Sequence, residues 1–302
     1  MLLLNTSLGT GATSAELSQR FLAIGMKSLM LLNSAETDFA APQTPPKSRR
    51  MKTARVIFAL MMRELSTTDS RTSLGFLWLL VEPVAAIALL TFLFSLMSRN
   101  PPIGTNFQIY YVTGILPFQM YTEVAGKVSS AVRYSRPLLG FPAVTAVDAI
   151  IARFLLNFVL ISMVFVIVTV SIIKIYGLYV IVDYALAVQS LVLAGFLALG
   201  IGTFNCVLFL AFPTYENVFG VLMRPLMLVS GVLFLTSELP TQYQSYLYWN
   251  PILHVVGLMR AAFYPSFDTS QLSPIYVVMF ALTTLVLGMV MLRRYLRHVM
   301  EK

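Results

Sequence analysis

The 302-residue chain is 58% hydrophobic and only 11% charged, with a mean hydropathy of +0.79. A soluble domain carries about 25% charged residues, so this composition cannot clothe a water-exposed surface, and its main solvent is expected to be lipid. The net charge of +8 falls beside apolar segments, as membrane topology requires, rather than forming a nucleic-acid surface. The one cysteine, Cys206, allows no intrachain disulfide and no Cys-based metal cluster, and reads as a small core residue.

Residues 1–50 hold polar residues and a proline cluster (Pro42, Pro45, Pro46) but no span. Phe21–Leu32 is apolar, yet it is too short to cross a bilayer and Lys27 interrupts it. No small-residue cleavage site follows it closely, so the region reads as a poorly ordered cytoplasmic leader rather than a signal peptide. Met51-Lys52 offers an alternative start.

From 51 to 302 the chain reads as one membrane domain. Residues 51–70 mix Val56, Phe58, Leu60, Met61 and Leu65 with Lys52, Arg55, Arg63 and Glu64, the pattern of an amphipathic helix lying in the headgroup layer. Six apolar segments follow, at Phe76–Met97 (broken only by Glu82-Pro83), Phe107–Val128, Ile150–Ile173, Tyr184–Phe212, Val218–Leu235 and Pro274–Leu292. The fourth contains Gly195, Gly200 and Gly202, small residues that let helices approach closely.

Lys and Arg in short loops set the orientation. Lys47, Arg49, Arg50, Lys52, Arg55, Arg63 and Arg71 precede the first segment, Lys127, Arg133, Arg136 and Arg153 lie around the second loop, and Arg293, Arg294, Arg297 and Lys302 follow the last segment. The opposite loops carry only Arg99, Lys174 and Arg260. Both termini are therefore expected in the cytoplasm. The outer stretch 236–273 holds a short apolar piece, Ile252–Met259, among Tyr243, Tyr246, Tyr248, Trp249, Phe263, Tyr264 and Phe267. This predicts a re-entrant pair of short helices before the last span. The fold expected is all-α, with six transmembrane helices, an N-terminal interface helix and this re-entrant hairpin.

No Gly-rich phosphate loop, H-E-x-x-H, G-x-S-x-G or C-x-x-C motif is present. His254 and His298 fall on opposite sides of the expected membrane. No catalytic residue, cofactor site or metal site is read on this chain, so energy for uphill transport has to come from a partner or an ion. The ionisable residues Glu82, Glu123, Asp148 and Arg224 lie toward cytoplasmic ends rather than at the midplane, which disfavours an ion-driven carrier.

Four segments carry a resemblance: Leu74–Pro83 (LGFLWLLVEP), Tyr111–Phe118 (YVTGILPF), Ser135–Pro142 (SRPLLGFP), and Tyr248–His254 (YWNPILH) with Arg260. In this order they resemble the ABC-2 type permeases, and within them the capsule and O-antigen polysaccharide exporters. The resemblance covers about 51–302 and leaves the leader outside. It implies a bacterial inner-membrane subunit that works as two copies with two separate ATPase chains, which carry the ATP and Mg. It also implies a polysaccharide cargo, and periplasmic and outer-membrane export proteins as further partners.

In such permeases the loop after the second span docks into the ATPase. Here that maps to Arg133, Ser135, Arg136, Leu138, Leu139 and Phe141, a mixture of cations and apolar anchors suited to an interface. Aromatic rings with hydroxyls suit sugars, which makes Tyr110, Tyr111, Tyr243, Tyr246, Tyr248 and Trp249 the candidates for the export path. Competing readings are an ABC-2 permease for a lipid, a drug or teichoic acid, and a membrane-embedded transferase. The transferase would need a polar catalytic cluster that the sequence does not show at close spacing.

Overall fold

The computed structural model describes residues 49–69, 75–97, 100–140 and 144–300. The expected leader up to residue 48, and the expected loop anchor Phe141, lie outside the described residues. The described residues form ten α-helices and no strand. These are α1 (Arg49–Asp69), α2 (Gly75–Met97), α3 (Phe107–Ser129), α4 (Ala131–Ser135), α5 (Ala146–Ile175), α6 (Tyr184–Ala211), α7 (Pro213–Val229), α8 (Thr241–Leu247), α9 (Pro251–Phe263) and α10 (Pro274–Met300). Short 3-10 turns cover Arg136–Leu138 and Thr236–Glu238.

Four stretches, Trp78–Leu96, Ala146–Ile175, Tyr184–Ala211 and Pro274–Tyr295, are long and apolar enough to cross a membrane. α3 has the expected extent but carries Thr113, Gln119, Glu123 and Lys127, and α7 has 17 residues. The fifth expected segment is displaced toward the N-terminus. Pro213 occupies the first turn of α7, where its missing N–H is no loss. The helix stops at Val229, well before Leu235, because the chain turns back at Gly231, whose φ of +70° favours a residue without Cβ.

Side-chain caps start four of the described helices, among them α10, where Ser273 Oγ accepts from the Tyr276 N–H at 3.3 Å. Thr145 and Asp148 form a reciprocal capping box at α5, with Thr145 Oγ1 accepting from the Asp148 N–H at 3.2 Å and Asp148 Oδ2 accepting from the Thr145 N–H at 3.0 Å. This assigns Asp148 to helix initiation. Asp183 accepts from the Ala185 and Leu186 N–H groups at α6, and Asn250 accepts from the Ile252 N–H at α9.

α6 is the central helix, packed against α10, α3 and α9. Its Ala194, Leu197, Ala198 and Cys206 are fully buried. Helices come together here through small residues. A Cβ on Gly200 would lie 2.4 Å from the Ala281 carbonyl oxygen, and one on Gly288 would lie 2.6 Å from the Phe204 nitrogen. All of α9 is buried, and the Ser190 hydroxyl of α6 donates to the Val255 carbonyl within it at 2.7 Å. By contrast, α2, the outer face of α5 and most of α10 expose Leu, Val, Ile, Met and Phe, as helices facing lipid do.

Because the obstruction at Gly288 is backbone, Gly288→Ala is expected to force α6 and α10 apart and to destabilise the protein by about 1–3 kcal/mol. Gly220, with open space around its Cβ position, is the control: Gly220→Ala should leave stability level or raise it by up to about 1 kcal/mol through helix propensity. Thermal unfolding of the two purified variants in one detergent checks the contrast.

Candidate functional site

Two clusters of buried polar groups organise opposite ends of the bundle. The first surrounds Arg153, near the start of α5. Its Nε donates to Glu64 of α1 at 3.0 Å, and the two side chains are only 9% and 11% exposed. Its Nη1 donates to the Lys127 carbonyl at 3.1 Å and to the Ser130 hydroxyl at 2.8 Å, both at the end of α3. The face of the guanidinium lies 4.1 Å from the centroid of the Tyr134 ring in α4, and Arg63 approaches the same ring at 5.5 Å. A buried pair of this kind costs about 3–5 kcal/mol to break by removing one partner, because the other charge is stranded.

Arg153 thereby seats the short α4 segment, which carries the expected docking residues. They divide into inward and outward groups. Arg133 makes a two-pronged pair with Glu216 in the first turn of α7, at 2.5 and 2.7 Å, and the Glu216 hydrogen bonds raise its already high pKa. With side chains 49% and 37% exposed, this pair is worth up to about 1 kcal/mol, and it engages a cation that the sequence reading placed in the docking loop. Ser135 is buried, and Leu139 packs in part against the core. Arg136, Pro137 and Gly140 are exposed and Leu138 is half-buried, so the outward surface combines the exposed Arg133 and Tyr134 with Arg136–Leu138 and Gly140.

The second cluster lies beneath α8 and α9. Arg260, only 2% exposed, donates to the Val232 carbonyl at 2.9 Å and the Phe234 carbonyl at 3.2 Å. These carbonyls belong to the turn that follows α7. Its guanidinium stacks 4.4 Å from the Tyr110 ring centroid. The sequence reading counted Arg260 as an outer-loop charge, whereas it is a buried staple between α9, α3 and the end of α7.

The Tyr248–His254 elbow is fastened in the same way. Asn250 donates to the Ser230 hydroxyl at 2.9 Å, Tyr276 donates to the Trp249 carbonyl at 2.7 Å, and His254 Nε2 pairs with the Tyr248 carbonyl at 2.9 Å. The other ring nitrogen of His254 accepts from the Ser273 N–H at 3.3 Å. Both nitrogens are therefore used, with the proton on Nε2.

The expected aromatic path residues separate accordingly. Tyr110 and Tyr111 are fully buried in the core and touch each other edge to face. Tyr248 is half-buried. Tyr243, Tyr246 and Trp249 are 58%, 77% and 76% exposed, and their three-residue spacing puts them along one side of α8 and its C-terminal turn. The sequence singled out the YWNPILH segment as a motif but not its bonds, because Ser230, Ser273 and Tyr276 come from other elements. Glu64 and Arg153 are 89 positions apart, and neither stands out from its neighbours by composition.

Replacing Arg260 with Met should leave the Val232 and Phe234 carbonyls without a partner and cost about 1–3 kcal/mol. Arg260→Lys should recover only part of the loss, since an ammonium cannot serve two carbonyls and a ring face as a planar fork does. Thermal unfolding in detergent ranks the three proteins, and a Lys variant as stable as the wild type would contradict this role.

Sequence comparisons agree with this architecture. The chain is 30% identical over 235 residues to the polysialic acid transport protein KpsM of Escherichia coli, covering 78% of this chain and 91% of that protein. It is 26% identical over 245 residues to the capsule polysaccharide export inner-membrane protein CtrC of Neisseria meningitidis serogroup B, covering 81% and 92%. To the capsule polysaccharide export inner-membrane protein BexB of Haemophilus influenzae it is 27% identical over 252 residues, covering 81% and 92%. The family model for the ABC-2 type transporter matches residues 55–264, a span that runs from α1 through α9 and includes both polar clusters, and the chain therefore belongs to the ABC-2 type transporter family as a membrane subunit rather than an enzyme.

Proposed function

We propose that this chain is the inner-membrane permease of an ATP-driven exporter of capsular or related surface polysaccharide. The observation that carries the proposal is the α4 segment. It is too short to hold its own helical shape in water, it is fastened from behind by Arg153 and Arg133, and it turns Arg136, Pro137 and Leu138 outward. A fixed surface of exposed arginine and apolar groups suits docking of a separate ATPase chain, which would carry the ATP and Mg. The cargo is inferred from the three relatives, a polysialic acid transport protein and two capsule polysaccharide export inner-membrane proteins.

In this reading α3 and α7 join the four long apolar helices as spans, giving six, and α1 rests in the headgroup layer of the cytoplasmic leaflet. α8 and α9 form the re-entrant outer hairpin, and both termini face the cytoplasm, where the basic residues concentrate. Two copies of the chain face each other across the export path with two ATPase chains beneath them, and periplasmic and outer-membrane export proteins meet the outer loops. Tyr243, Tyr246 and Trp249 present ring faces and hydroxyls to the sugar. Tyr110 and Tyr111 reach it only where the surrounding helices part.

Co-purification with a candidate ATPase subunit from the same organism tests the docking surface. Wild type is expected to retain the ATPase in mild detergent, and Arg136→Glu with Leu138→Asp is expected to lose it while still inserting in the membrane. Both substitutions avoid Leu139, whose core contacts would confuse the result. Failure of the wild type to bind any ATPase would overturn the reading.

A further inference from the structure

We propose that Arg153 is a positioning residue for energy coupling: it joins α1, the α4 segment and the start of α5 into one body, so that a push on the docking surface moves the headgroup helix and a long membrane helix together. This rests on the ATPase-docking reading above for its function, although the rigid body itself can be tested without it.

A five-residue helix followed by a single 3-10 turn (Ala131–Leu138) cannot carry force unless its orientation is set by tertiary contacts. Arg153 supplies them in three directions. The Nε side reaches forward to Glu64 of α1, the Nη1 side reaches back to the Lys127 carbonyl and the Ser130 hydroxyl, and the guanidinium carbon sits over the Tyr134 ring at 4.1 Å. Only a planar fork with donors on separate edges does this at once, because a lysine would have to choose. The site is dry: Arg153 is 7% exposed and Glu64 8%, so the pair is little screened by salt and cannot slide as a surface pair can.

What lies on the far side of α1 gives the joint its consequence. Phe58, Met62 and Leu65 are exposed, and at spacings of four and three they form one apolar stripe. Glu64 is on a different face, turned to the bundle. α1 therefore holds the membrane surface with one face and Arg153 with another. α5, which begins just before Arg153, is 30 residues long, about 45 Å at 1.5 Å per residue. A displacement of α4 is thus delivered near the root of a helix that is long enough to cross the bilayer, and against a helix that rides on the bilayer surface. Arg133–Glu216 adds a weaker second tie to α7.

The test separates Glu64→Ala from Glu64→Gln, since glutamine keeps an acceptor for the Arg153 Nε and alanine does not. Spin labels at Ala59→Cys on α1 and Gly140→Cys beyond α4 occupy exposed positions, and the native Cys206 is fully buried, so labelling is selective. With labelled chain diluted into unlabelled chain in nanodiscs, the distance distribution should be narrow in the wild type, broaden about two-fold or more in Glu64→Ala, and stay narrow in Glu64→Gln. In the complex with its ATPase, export per ATP hydrolysed should fall about ten-fold in Glu64→Ala, with ATPase binding retained, and recover in Glu64→Gln.

Equal distributions in all three proteins would overturn the rigid body. A broadened distribution with unchanged export per ATP would overturn its role in coupling. Loss of ATPase binding in the wild type would overturn the docking reading alone. Arg153→Lys, which keeps the charge but not the fork, should behave like Glu64→Ala, and wild-type behaviour there would also count against the proposal.

Discussion

A chain this apolar has to satisfy its buried polar groups from within. Water is scarce where most of the surface is hydrocarbon-like, and each unpaired amide or carbonyl costs several kcal/mol there. Helices meet that demand along their length and fail it at their ends and breaks. The structure places its strongest donors at two such breaks. Arg153 takes the Lys127 carbonyl where α3 gives way to α4, and Arg260 takes the Val232 and Phe234 carbonyls where α7 stops short. Guanidinium is the suitable group in both cases, since it offers several donors in a plane and is weakly hydrated for its charge.

The two arginines leave different surfaces beside them. Around Arg153 the charge is compensated by Glu64, and the fastened segment turns Arg136–Leu138 outward. Around Arg260 the contacts are carbonyls and an aromatic face, and the fastened pieces are α9, α3 and the loop after α7. Beside them the Tyr248–His254 elbow is tied to Ser230, Ser273 and Tyr276, and the rings of Tyr243, Tyr246 and Trp249 stand exposed along α8. Between these two ends, the small-residue contacts of α6 with α10 at Gly200 and Gly288 hold the bundle together, because backbone against backbone leaves little room to shift.

Membership of the ABC-2 type transporter family and the mixture of buried staples with exposed edges tell the same story at different scales. The family match ends at Tyr264, directly after the helix that Arg260 anchors. The match begins at Arg55 in α1, before the residue that Arg153 anchors. The matched stretch thus contains both polar clusters, with α10 packed against its central helix from outside that stretch.

Much of this could be read from the residues in order. Composition dictated a membrane protein, because a chain with so few charges has no other solvent. Apolar runs placed α2, α3, α5 and α6 to within about four residues and the start of α10, since hydrophobicity is a local property of consecutive side chains, while α10 continues eight residues past its apolar run to Met300. The same logic misplaced α7, where Pro213 and Gly231 outweighed the apolar run from Val218 to Leu235. The motifs around Ser135–Pro142 and Tyr248–His254 lie toward opposite ends of α3, beside Ser130 and Tyr110 respectively. Which of their side chains face out was decided only by tertiary structure: Arg133 turned to Glu216, Ser135 inward, Tyr110 beneath Arg260, and Tyr243, Tyr246 and Trp249 outward. The physical reason is that a side chain's charge or ring can be read from its own position, while its partner is set by elements distant in sequence, as Glu64 is from Arg153, and becomes known only when the helices pack.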